Sequence, residues 1–98
     1  MQDTPTTSQT ELWEWIRLQL SIDRHMVTVF QEQPTRGASR VLNRVVNSGY
    51  SQLCFINRKI KQHRNDSAWC RLNLTDAQRL INETCDLIDD AEELIGDD

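Results

Sequence analysis

The residue types that most often carry chemistry are few in this chain and lie far apart. Its two histidines, His25 and His63, fall in different predicted helices and have no acid motif around them. Its three cysteines are Cys54, Cys70 and Cys85, and such an odd and sparse set does not make a disulfide framework. Cys54 and Cys85 stand beside predicted core positions, which is typical of small, half-buried hydrophobic residues.

No other motif indicates a metal, a cofactor or a catalytic centre. His63 and Cys70 have the donor types of half a zinc site, but no second pair stands at ligand spacing. The sequence also lacks a glycine-rich phosphate loop and a nucleophile elbow. We therefore expect no enzyme activity, no bound metal and no cofactor.

Four carboxylates stand close together near the end of the sequence: Asp86, Asp89, Asp90 and Glu93. Sites that hold a metal or transfer protons place such acids inward, across several helices of a bundle. The spacing predicts instead that these four lie on the outer side of a third helix. They are then either a solvated face or a negative surface for a basic partner, which includes mimicry of a phosphate backbone.

The charges of the chain are sorted by segment. Residues 35–72 contain eight Lys or Arg against one acid, which is a net charge of +7. Residues 73–98 contain nine acids against one Arg, which is a net charge of −8. Such a chain either folds the two segments onto each other or presents one of them to a partner.

The basic residues of the middle segment gather on a second predicted helix and beside its ends. They are Arg36, Arg40, Arg44, Arg58, Lys59, Lys61 and Arg64. They form either a nucleic-acid surface or a solvated face that neutralises the acidic third helix. Tyr50 and Phe55, the aromatic residues of this helix, fall outside the basic groups, and an isoelectric point near 5.1 is low for a dedicated nucleic-acid binder.

Three helices are predicted to position these groups, and the first covers about residues 9–33. It follows a capping box at residues 8–11. In such a box a Ser oxygen accepts a hydrogen bond from a free helix N–H, and the Glu side chain accepts one from the backbone N–H of the Ser. Pro34 is expected to stop this helix, because proline cannot donate a backbone hydrogen bond. Gly37 is expected to supply the bend that follows.

The second and third helices are predicted at about residues 38–63 and 76–94. The second has a heptad seam of the kind that packs helices at shallow crossing angles: Leu42, Val46, Gly49, Leu53, Ile56 and Ile60. Gly49 costs about 1 kcal/mol against Ala in a helix interior, so its place in the seam predicts close approach of a neighbouring backbone. A second capping box, at residues 75–78, marks the predicted start of the third helix.

These elements predict an all-α fold, an antiparallel three-helix bundle with two short connections. Residues 1–7 are expected to be a disordered lead, and residues 8–98 a single domain. No apolar run reaches the roughly 18 residues of a membrane span. The first ten residues are polar and lack the basic and then apolar segments of a signal peptide. We therefore expect a cytoplasmic protein that does not act at a membrane.

The first predicted helix has more apolar surface than one neighbouring helix requires, because two apolar stripes run along it. Trp13 and Trp15 point about 200° apart on a helix, so one core holds only one of them well. We expect a second interface, most simply a two-fold homodimer. The residues predicted for self-association are Trp13, Trp15, Ile22, Met26 and Val29.

The surfaces favour a small, non-enzymatic protein–protein interaction module, an inhibitor or adaptor that covers a partner's surface with a charged helix face. In its sharpest form it is an acidic decoy of the anti-restriction, anti-CRISPR or antitoxin kind, whose partner is a protein with a basic surface. The alternative is a nucleic-acid-binding module that uses the basic second helix.

Overall fold

The fold consists of three helices in the part of the chain that the structure describes. This structure is a computed structural model that describes residues 4–33 and 35–96, with side chains from residue 12 onward. Helix α1 is Thr4–Glu32, α2 is Ala38–Gln62 and α3 is Ser67–Gly96. The described residues include no strand. The all-α prediction and the number of helices are therefore confirmed.

The chain runs up, down and up again through these helices. Trp13 bonds to Asn73 and Arg24 bonds to Asp90, so positions on α1 and α3 advance together and the two helices are parallel. Helix α2 runs in the opposite direction to α3. The ring of His63, directly after the end of α2, stacks on Trp69 near the start of α3. The backbone of α2 at Gly49 approaches α3 much further along. The predicted antiparallel arrangement of consecutive helices is confirmed.

Helix α3 is the centre of the bundle. It packs along α2 and along α1, whereas α1 and α2 touch each other only slightly. The core is apolar and draws on all three helices: Trp13, Ile16, Leu20, Val27, Ala38, Leu42, Val45, Val46, Ile56, Trp69, Ala77, Leu80, Leu87, Ile88 and Ala91 are buried. Each large aliphatic side chain that is removed from water stabilises the fold by about 1.5–3 kcal/mol.

Gly49 lies in the contact between α2 and α3. A Cβ atom on this residue would lie 2.7 Å from Cγ1 and 2.9 Å from Cδ1 of Ile88. Such distances are shorter than carbon–carbon contact allows, so only glycine fits here without movement of Ile88. The prediction that Gly49 is a helix–helix contact point is confirmed, although the atoms nearest to it belong to the side chain of Ile88 and not to a neighbouring backbone.

Helix α3 begins nine residues earlier than predicted, at Ser67 instead of residue 76. The backbone N–H of Trp69 donates to Oδ1 of Asp66 over 3.0 Å, so Asp66 is the N-cap of this helix. The capping box at residues 75–78 lies inside α3, and the prediction that it marks the start was wrong. A capping signature is local, and the burial of Trp69 and Asn73 favours helix across it.

The first residues of α3 join it to α1 by a polar link inside the core. The indole N–H of Trp13 donates to Oδ1 of Asn73 over 2.7 Å, and Nδ2 of Asn73 donates to the carbonyl of Trp69 over 3.0 Å. The rings of Trp13 and Trp69 meet edge to face with centroids 6.4 Å apart. This link requires residues 69–73 to be helical, which explains the early start of α3.

Helix α1 also begins before its predicted start, at Thr4 instead of residue 9, so the capping box at residues 8–11 does not mark its beginning. Of the predicted lead, residues 1–3 lie outside the described residues, as does the predicted stop at Pro34. Gly37 has φ of 88°, a left-handed conformation that favours glycine, and it directly precedes α2. The predicted bend at Gly37 is confirmed.

Candidate functional site

The residues that could do chemistry are not brought together by the fold. His25 is exposed on α1, whereas the ring of His63 stacks on Trp69 at a centroid distance of 4.6 Å. The thiol of Cys70 donates to the carbonyl oxygen of His63 over 3.4 Å, a contact with the backbone and not with the imidazole. Within the described parts of the chain, no three His, Cys, Asp or Glu side chains lie close enough to hold a metal ion.

The thiols of Cys54 and Cys85 are exposed, so the prediction that they are half-buried was wrong. Cys54 follows Leu53, which packs against the core, and Cys85 follows the buried Thr84. One step along a helix turns the side chain by about 100°. That rotation carries both cysteines past the edge of the α2–α3 contact. Neither cysteine lies close enough to another to form a disulfide in this structure.

The four predicted acids of α3 divide into one ion-paired residue and three free ones. Oδ2 of Asp90 accepts a charge-assisted hydrogen bond from Arg24 of α1 over 2.7 Å. Asp86, Asp89 and Glu93 are exposed and form no ion pair with a described residue. We call these three residues the acidic face.

The basic residues of α2 do not neutralise the acids of α3. The described ion pairs are Arg24–Asp90 and a longer one, Arg17–Asp76, at 3.8 Å, and both arginines belong to α1. The alternative in which the basic second helix neutralises the third therefore has no described ion pair to support it. Helices α2 and α3 meet through apolar faces instead, and their charged faces both remain open to solvent.

The exposed cations of α2 gather towards its two ends. Arg40, Arg44, Arg58 and Lys61 are exposed, and we call these four residues the basic face. From Arg44 to Arg58 the helix rises about 21 Å. Arg36 and Arg64 are exposed in the turns that flank α2. None of these six side chains forms an ion pair with a described carboxylate.

Aromatic side chains adjoin the cations at one end of α2, against the expectation from the sequence. Tyr50, Phe55 and Arg58 line a shallow depression of about 400 Å³, together with Ser51 and Cys54. Nζ of Lys59 lies 5.7 Å from the centroid of the Phe55 ring, within range of a cation–π contact. The separation predicted from the sequence failed because residues four apart on a helix are neighbours in space.

Tyr50 also connects the basic helix to an acid of α3. Its hydroxyl donates to Oε2 of Glu92 over 3.4 Å, which is a weak hydrogen bond. The negative charge of Glu92 is the main reason why the pKa of Tyr50 is raised, since it disfavours a second negative charge nearby.

Helix α1 has an exposed apolar face that no described residue covers. Trp15, Leu18, Ile22 and Val29 are exposed and Met26 is half-buried, and we call these five residues the apolar stripe. Trp13 was predicted for the same surface, and that prediction was wrong, because Trp13 is 3% exposed and bonds to Asn73 in the core. The expected divergence of Trp13 and Trp15 is confirmed.

Beside the apolar stripe an open groove separates α1 from α2, with a volume of about 380 Å³. The atoms that face the groove are mostly carbon, although half of the lining residues are polar: Leu12, Trp15, Ile16, Gln19, Ser48, Ser51, Gln52 and Phe55. Gln52 is buried, and its Oε1 has no hydrogen-bond partner among the described residues. Trp15 belongs to both surfaces, so the groove and the stripe are continuous.

Asp23 is a buried acid that the sequence analysis missed. It continues the row of core positions formed by Ile16, Leu20 and Val27 on α1, and this regular spacing was the signal that could have revealed it. Its Oδ2 has no hydrogen-bond partner among the described residues. Burial raises the pKa of this carboxyl above its ordinary value, because the charged form loses its hydration.

Comparison with protein-family models, with curated proteins and with solved structures finds no match to this chain. None of the helices, over the residues described, is both long enough and apolar enough to cross a membrane. The acidic face, the basic face and the apolar stripe are therefore the features that bear on function.

Proposed function

We propose that this chain is a non-enzymatic protein–protein interaction module, an inhibitor or adaptor that presents the acidic face of α3 to a basic partner. One observation carries the proposal: Asp86, Asp89 and Glu93 are exposed and form no ion pair with a described residue. The bundle core is complete without them. Their charge is therefore available to a partner.

The spacing of the acidic face suits recognition of a row of cations. Residues three and four apart on a helix have Cβ atoms about 5–6 Å from each other, so the three carboxylates form one compact patch. Such a patch accelerates encounter with a positive surface and loses this effect as salt screens it. A nucleic-acid-binding protein offers such a positive surface, and against it the acidic face would take the place of phosphates.

The test compares two charge reversals of equal size. Asp89→Lys with Glu93→Lys changes the acidic face, and Glu14→Lys with Glu32→Lys makes the same change on exposed acids of α1. Each variant and the unaltered protein are used to capture partners from cells of the source organism. We expect the first pair to lose a basic partner that the second pair retains, with helicity by circular dichroism unchanged in both.

Nucleic-acid binding through α2 is the second candidate, and one observation favours it. Phe55 lies beside Lys59, and Tyr50 and Phe55 line one depression with Arg58. Aromatic side chains near cations are the elements of a single-strand binding surface. The basic face forms no ion pair with a described carboxylate.

The two candidates differ in which charge reversal matters. Under the nucleic-acid alternative, unaltered protein retards a single-stranded oligonucleotide at low salt, and added salt weakens this steeply. Arg40→Glu with Arg58→Glu would then abolish the shift, and the reversals on α3 would leave it intact. That result, with no partner lost by the Asp89 and Glu93 variant, would replace the first proposal.

A further inference from the structure

The residues of the apolar stripe are spaced symmetrically along α1. Its five residues stand at spacings of three, four, four and three along the helix, and Ile22 is the middle one. Trp15 and Val29 lie seven residues to either side of Ile22, and Leu18 and Met26 lie four residues to either side. A row that reads the same in both directions can pair with its own copy in reverse orientation.

We propose that a second copy of this chain covers the stripe, with the two α1 helices antiparallel and the two-fold axis at Ile22. In this arrangement Ile22 meets Ile22 of the second copy. Trp15 lies opposite Val29 of the second copy, and Leu18 lies opposite Met26. The same patch on each copy thereby covers the same patch on the other, as in an isologous interface. This inference does not depend on the function of the acidic face.

The antiparallel pairing fits the side-chain sizes better than the parallel one. It sets the largest residue of the stripe, Trp15, against the smallest, Val29, at both ends of the contact. A parallel pair would place two Trp15 side chains together at one end and two Val29 side chains at the other, which would force the helices apart unevenly.

The amount of exposed apolar surface suits a reversible dimer. The exposed fractions are 59% for Trp15, 57% for Leu18, 43% for Ile22 and 40% for Val29. These side chains leave on the order of 400 Å² of apolar surface per copy. Two copies would bury about twice that plus the flanking atoms, which is below the roughly 1,200 Å² of stable interfaces and in the range of weak, transient ones. We therefore expect a dimer that dissociates in the micromolar range.

The continuity of stripe and groove adds to this interface. Trp15 borders the groove between α1 and α2, so a helix lying on the stripe also approaches Phe55 across the groove. Helices α1 and α2 hardly touch, which leaves room beside α1 for another helix. The second copy's α1 would then occupy the position of a fourth helix against each bundle.

Sedimentation velocity from about 1 to about 500 µM tests the dimer. We expect a shift from monomer to dimer with concentration, and we expect Ile22→Lys to raise the dissociation constant at least about tenfold by placing two charges on the axis. The control is Leu72→Lys, a matched change at an exposed apolar residue of α3, 62% exposed and outside the stripe. A strict monomer over the whole range would overturn the proposal, as would equal weakening by both variants.

Crosslinking tests the orientation in a protein whose native cysteines are replaced by Ser. With a short bis-maleimide, Ile22→Cys should crosslink to its own copy. Trp15→Cys alone should not, but it should crosslink when mixed with Val29→Cys. Efficient self-crosslinking of Trp15→Cys, with none between the two different variants, would overturn the antiparallel arrangement in favour of a parallel one.

Discussion

At the scale of single residues, Gly49 is a case in which an unusual residue in a helix predicts a tertiary contact. Glycine inside a regular heptad seam is unfavourable for an isolated helix, so its presence indicated a packing reason. The structure supplies that reason, because Ile88 of α3 occupies the space of a Cβ atom at this position. The inference succeeded because it depended on α2 alone and not on the arrangement of its neighbours.

We expect Gly49→Leu to destabilise the fold by about 1–3 kcal/mol, the usual result of overpacking. Gly49→Ala should also destabilise it, although alanine favours helix by about 1 kcal/mol. Thermal or urea unfolding measures both. Gly96→Ala is the control, because a Cβ atom there meets nothing within 4 Å.

A double-mutant cycle shows whether Ile88 is the cause. In an Ile88→Ala background the penalty of Gly49→Ala should shrink, since both atoms that it meets most closely are gone. If Gly49→Ala unfolds at the temperature of the unaltered protein or above it, Ile88 moves aside freely and the close contact is not a constraint.

At the scale of the elements, α3 shows where sequence reasoning failed. The capping box at residues 75–78 was the only start that the sequence analysis considered, whereas the true start at Asp66 depends on what the residues between the two positions bury. Trp69 and Asn73 are buried because α1 presents Trp13 to them. That contact joins residues sixty positions apart, and no local pattern on α3 reveals it.

Asp66→Ala should therefore destabilise the fold by about 1 kcal/mol, the typical effect of losing an N-cap. Its carboxylate accepts a bond from the N–H of Trp69, and this N–H would lose its partner. Thr75→Ala, which lies inside α3, is the matched control and should have a smaller effect in urea unfolding. The opposite order of effects would mean that α3 effectively begins at residue 76.

At the scale of the whole molecule, the sequence predicts the bundle but not which of its charged segments pair with each other. Helical periodicity predicted the bundle, because each helix reveals its own apolar face. Charge pairing depends on how the helices are arranged around each other, and here α1 approaches the acids of α3 while the basic face of α2 points elsewhere. The segments are therefore packed together without neutralising each other, which leaves two charged faces available for recognition.

The stability of the whole fold should depend on pH through Asp23. Burial raises the pKa of this carboxyl above 3.8, so the folded protein binds its proton more readily than the unfolded chain does. This contribution to stability is fully present below about pH 3.8 and is lost as the pH rises through the higher pKa of the folded state. At neutral pH the fold contains a buried carboxylate whose Oδ2 has no described hydrogen-bond partner.

Asp23→Asn is uncharged at every pH, so we expect it to stabilise the protein near pH 7 by about 1 kcal/mol, which is several degrees in Tm. The advantage should shrink strongly at about pH 3.5, where the native carboxyl is mostly protonated in both the folded and the unfolded state. Thermal unfolding followed by circular dichroism at matched ionic strength measures both differences. Glu14→Gln, at an exposed acid of α1 outside the acidic face, is the control and should show no such advantage at neutral pH. An equal difference in Tm between Asp23→Asn and the unaltered protein at both pH values would show that the native carboxyl does not titrate differently on folding.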